Sequence, residues 1–110
     1  MWISRAITEN GESAPAFTAE VTGAEGNKVS LGGAEGSGTG EAFYPYGIMS
    51  VPPKGVKAAA VQSGRSVCVL GCTDGADRDL EPGEIALYSK GGASIILKND
   101  GRVLINGVSV

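Results

Sequence analysis

Histidine is absent from the chain, and cysteine occurs only at Cys68 and Cys72. Without histidine the commonest general base and metal ligand is missing, so any triad built on it is excluded. A closed zinc site wants four ligands, mostly Cys or His, so neither a metal centre nor a cofactor is expected. Two cysteines make no disulfide framework. Four positions apart in an apparent strand, their Cα atoms would stand ~13 Å apart, beyond disulfide reach. They are expected to be packed thiols on one face.

Long apolar runs are missing too. Nothing approaches the ~18 residues of a membrane-spanning helix. The first residues, Met1-Trp2-Ile3-Ser4-Arg5, lack the basic region and apolar core of a secretory signal. The product is expected to be made in a cytoplasm without a signal peptide, wherever it later works. Charge is sparse at 19%, with nine basic against twelve acidic residues and a net charge of −3. A protein that neutralises phosphates normally carries an excess of Lys and Arg, so nucleic acid is not an expected partner.

Glycine is abundant instead. Eighteen glycines in 110 residues is about 16%, against a usual ~7%. Past the first ten residues, no stretch free of Gly and Pro exceeds eight residues. Helices of about 11–12 residues have no room, and the punctuation suits short strands.

Residues 17–22 (FTAEVT) alternate apolar and polar side chains at period two, as a half-buried strand must. Residues 28–31 are expected to pair with them across a turn at 23–27. Residues 32–40 (GGAEGSGTG) read as a flexible loop by composition. Residues 48–51, 56–62 and 66–72 read as further strands, the last two joined at Ser63-Gly64. About five short strands suggest a small barrel or sandwich.

The acidic stretch 74–81 reads as a connector, and a new rhythm begins after Pro82-Gly83. Residues 84–89, 94–98 and 102–110 are expected strands, separated by Gly-containing turns. One apolar face carries Ile85, Leu87, Ile95, Leu97, Val103 and Ile105. Asn106-Gly107 then shifts the parity, so that Val108 and Val110 continue the stripe. Three short strands with one apolar face are marginal alone in water. Either this tail folds onto the barrel, or identical copies share a core.

Two stretches resemble the baseplate central spike proteins of Mu-type contractile phages and related injection machines. Tyr46-Gly47-Ile48-Met49-Ser50-Val51-Pro52-Pro53-Lys54-Gly55, running into the apolar 56–61, is similar to a family segment that leads into a barrel strand. Leu80-Glu81-Pro82-Gly83-Glu84-Ile85-Ala86-Leu87-Tyr88 resembles the junction between barrel and spike shaft.

The resemblance implies an all-β chain: an N-terminal extension over 1–13, a small OB-fold-like barrel over 14–79, and a short intertwined trimeric β-helix or β-prism shaft over 80–110. Pro82 and Gly83 would turn the chain from barrel into shaft, and the eight-residue stripe would form the trimer core. The implied function is mechanical rather than enzymatic. A homotrimer would sit on tail hub and baseplate proteins at the tip of a virion or tail-like particle, where contraction drives it through the target cell envelope. Longer relatives end in an apex that can bind iron through histidines. This chain has none, so a bare shaft or a separate tip-capping protein is expected.

The rival reading is a monomeric OB-fold binding module. Sharper site readings are weak. Gly33 and Gly38 have the spacing of a phosphate loop, but the required lysine is missing. Asp77-Arg78-Asp79-Leu80-Glu81 alternates carboxylates as calcium loops do, with Pro82 where the loop glycine belongs. Trp2, Phe17, Phe43, Tyr44 and Tyr46 could stack bases on an OB-fold, but no basic groove accompanies them. A hydrolase lacks any nucleophile motif.

Overall fold

A computed structural model describes residues 16–33 and 36–110. The extension over 1–13, including Trp2, lies outside the described residues. The chain divides into two units, Met1–Gly75 and Ala76–Val110. Every described element is a β-strand, so the all-β expectation holds among the described residues.

The first unit holds β1 (Ala16–Glu25), β2 (Lys28–Gly33), β3 (Gly36–Ala42), β4 (Lys57–Ser63) and β5 (Ser66–Thr73). They close into a barrel in the order β1-β2-β3-β5-β4. Neighbours run antiparallel except β3 and β5, which pair in parallel through Glu41 with Cys68 and Ala42 with Val69. This arrangement is consistent with a small OB-fold-like barrel.

Alternation fills the interior. Val21, Val29, Leu31, Ala58, Ala60, Val67 and Val69 are buried, with Phe17, Ala19, Ala24, Ala42 and Val56 packed around them. Small side chains suit so narrow a barrel. At Gly40 a Cβ would lie 3.0 Å from Val69 Cγ2 and 3.2 Å from both Val67 Cγ1 and the Val67 carbonyl, so a larger residue at that wall position needs Val67 and Val69 to give by a few tenths of an ångström.

Three expectations are corrected here. Residues 32–40 are not a loop: residues 32 and 33 end β2, residues 36–40 open β3, and residues 34 and 35 lie outside the described residues. Leu31 pairs with Gly38 and Val29 with Gly40, so ladder hydrogen bonds and tight packing override glycine's weak strand preference. Residues 48–51 are not a strand. The Ile48 amide closes a turn on the Pro45 carbonyl at 3.0 Å, and Pro52 and Pro53 have no N–H to offer a ladder.

The third concerns the cysteines. The register of β5 slips against β4 between Ala59 and Ala60, so Cys68 lies opposite Val61 and Cys72 opposite Ala58. Val61 and Ala58 sit on opposite sides of β4, and so the two thiols do not share a face. One extra residue in a bulge reverses the parity of everything beyond it.

The second unit is a four-stranded antiparallel meander: β6 (Ile85–Tyr88), β7 (Ser94–Leu97), β8 (Val103–Ile105) and β9 (Val108–Ser109). The expected strand 102–110 is split by a hairpin in which Ile105 pairs with Val108. Asn106 and Gly107 have φ of 51° and 82°, the paired positive angles of a type I′ turn.

Candidate functional site: a bare apolar sheet face

The register of the meander sorts its side chains into two faces. Ile85 lies opposite Leu97, and Leu97 opposite Val103; the Val110 amide donates to the Val103 carbonyl at 3.0 Å, extending that row. Leu87, Ile95, Ile105 and Val108 form a second row by successive pairing. Cross-strand neighbours in such rows have Cβ atoms ~5 Å apart. The eight stripe residues therefore make one continuous aliphatic surface.

That surface is bare. Ile85 is 55% exposed, Ile95 42%, Val108 67% and Val110 76%. Of the eight, only Val103 is half-buried. The face carries no polar side chain, so it offers nothing for acid–base or nucleophilic chemistry. A continuous exposed apolar patch of this kind marks an association surface.

The opposite face carries a half-buried apolar row, Ala86, Ile96 and Leu104, with a network of the unit's own polar groups beside it. Glu84 is the centre of this network, its side chain only 4% exposed. Its Oε1 accepts from the Glu81 amide at 3.0 Å and from Lys98 Nζ at 3.1 Å, and its Oε2 accepts from the Asn99 amide at 3.0 Å. The Glu81 and Asn99 backbone N–H groups, then the Lys98 ammonium, hold the Glu84 carboxyl below its ordinary range.

Pro82 and Gly83 occupy the centre of a turn closed by the Glu84 amide on the Glu81 carbonyl at 3.0 Å. Gly83 has φ of 100°, the angle that the third residue of a type II turn requires, with proline favoured before it. Asn99 Nδ2 donates to the Pro82 carbonyl at 2.9 Å, tying this turn to the one after β7. Both residues thus lie inside the second unit and launch β6.

At the far end of β7, Asn106 brackets Ser94. The Ser94 amide donates to Asn106 Oδ1 and the Asn106 amide to the Ser94 carbonyl, both at 2.9 Å. Asp100 accepts from the Arg102 amide at 3.0 Å and from Arg102 Nε at 2.8 Å, and these bonds lower its carboxyl pKa. The Glu84 network and the placement of Arg78 over Tyr88 escaped sequence reading. An acidic residue directly after Pro-Gly, with Lys-Asn at the end of the next strand, was the available signal.

The remaining candidates do not assemble into a site. Both cysteines are free, with Cys68 half-buried and Cys72 exposed; partial desolvation raises the Cys72 thiol pKa. Among the described residues, no three potential ligands gather to hold a metal. Asp77 Oδ1 instead accepts from the Asp79 amide at 2.9 Å, a local turn within the connector. Phe17 packs on the barrel core while Phe43 and Tyr46 are exposed, so the aromatic set is divided.

No family model, curated protein or solved structure matches the chain.

Proposed function

We propose that the chain is the subunit of a homotrimeric spike at the tip of a contractile tail or tail-like injection machine, where it punctures the target cell envelope mechanically. The observation that carries this reading is the asymmetry of the second unit. One sheet face is wholly aliphatic and largely uncovered, whereas on the other Ala86, Ile96 and Leu104 are half-buried and the unit's own ion pair lies beside them. Three copies turning their bare faces inward make the core that a single thin sheet lacks. The strand order β6-β7-β8-β9 leaves β6 and β9 as edges, and neighbouring copies cover both in a closed three-sided shaft.

The likeness of the Leu80–Tyr88 motif to a spike junction supports the same assignment. The barrel then anchors the shaft to tail hub and baseplate proteins, and no residue is assigned a catalytic role. Light scattering on the purified chain tests the trimer. A mass of about 33 kDa, three times 11.1 kDa, is expected. A mass of 11 kDa overturns it and leaves a monomeric OB-fold binding module.

A further inference from the structure

A second apolar surface lies on the barrel unit, in the segment joining β3 to β4. Between Glu41 and Lys54 there is no charged residue. Phe43 is 49% exposed, Tyr46 106%, Ile48 48%, Met49 62% and Val51 49%. Connecting segments normally carry polar side chains to water, whereas this one presents five large apolar ones.

We propose that this loop docks against the barrel of a neighbouring copy of the same chain, an inference that rests on the trimeric reading above. Two arguments select that occupant. The first is area. Five side chains at these exposures offer on the order of 500 Å², short of the ~800 Å² per partner that a free-standing specific complex buries. A patch of that size holds together surfaces that are already linked, because tethering raises the effective concentration of each for the other to about millimolar.

The second argument is covalent reach. Strand β5 ends at Thr73, and Arg78 is already held on the Tyr88 ring of the second unit. Five residue steps separate them, at most ~18 Å of extended chain. A unit of this size has a radius of gyration of ~11 Å, and the sheets of a shared core pack only ~10 Å apart. Three barrels leashed so closely to one shaft are each held within reach of the next. An uncharged apolar loop is the surface that gains from it.

The test uses the full chain with the photoreactive residue p-benzoylphenylalanine in place of Tyr46, whose side chain is wholly exposed. Irradiated trimer is expected to yield covalent dimers and trimers. Mass spectrometry should map the crosslink to a barrel peptide of another copy, with a yield unchanged on hundredfold dilution. Trimer by light scattering with crosslinks only within one chain, or none, overturns the docking and leaves the trimer standing. A yield that falls with dilution reflects chance collision and overturns it too. A mass of 11 kDa removes the trimer and the docking together.

Discussion

The Arg78 guanidinium lies over the Tyr88 ring, 3.4 Å from its centroid. Arg78 belongs to the acidic connector and Tyr88 ends β6, so a cation–π contact fixes the connector to the sheet it precedes. Arg78→Ala is expected to lower the stability of the second unit by ~0.5–1 kcal/mol, read from urea denaturation, and Arg78→Lys by less. An unchanged midpoint for Arg78→Ala would remove the contact from the account.

Gly83 and Gly107 separate two costs. Both have positive φ, 100° and 82°, but only at Gly83 would a Cβ meet a neighbour, Asn99 Oδ1 at 2.7 Å. Gly107→Ala is expected to cost ~1–2 kcal/mol for the left-handed backbone alone. Gly83→Ala should cost more, since Asn99 must also move off the Pro82 carbonyl. Equal losses in thermal melts would show that the Asn99 bond contributes nothing.

The two sheet faces should respond oppositely to charge. Ile95→Asp puts three carboxylates into the shared core of the proposed trimer, each a heavy desolvation cost without a partner. The expected mass is that of a monomer. Ser109 pairs with Leu104 on the other face, and Ser109→Asp is expected to remain trimeric. Trimers of Ile95→Asp with unchanged melting temperature would end the shared-core model.

Acid should weaken the second unit through Glu84 and Asp100. Both carboxyl pKa values are lowered in the fold from ordinary values of 4.5 and 3.8. Stability from these groups is therefore fully present above the ordinary values and is lost as pH falls through the lowered ones. Urea midpoints should be flat from pH 7 to about 5 and then drop below about pH 4.5. Glu84→Gln is expected to lower the neutral-pH midpoint and flatten the acid slope; an unchanged slope would mean that Glu84 does not contribute to it.

In the barrel, Gly40→Ala forces a methyl group against Val69 and Val67. Overpacking of this kind costs ~1–3 kcal/mol. Denaturation of Gly40→Ala should show that loss in the first unit, while the mass of the assembly is unchanged.

Most of the stripe was legible in advance. Ile85 and Leu87 alternate with Glu84 and Ala86, Ile95 and Leu97 keep the same spacing across Ile96, and Asn106-Gly107 announces the turn that brings Val108 and Val110 onto the same face. The barrel strand with clear alternation, β1, was legible for the same reason, and β5 as a short apolar run bounded by turn residues. Strand β3 was not, because Gly36, Gly38 and Gly40 carry no pattern. Their place in the sheet depends on β2 and β5 lying on either side. The Glu84 network was equally hidden, since two of its three donors come from residues fourteen and fifteen positions away.

The amino-acid order alone thus determined where strands could form, where the chain had to reverse, and which side chains share a face in the second unit. These follow from the two-residue repeat of an extended backbone and the positive φ of particular turns, both local properties. The tertiary arrangement decided that a glycine run is barrel wall, that 43–55 is a loop rather than a strand, and that a bulge parts Cys68 from Cys72. Those outcomes depend on which strands become neighbours, and pairing across distant positions is governed by packing around the core.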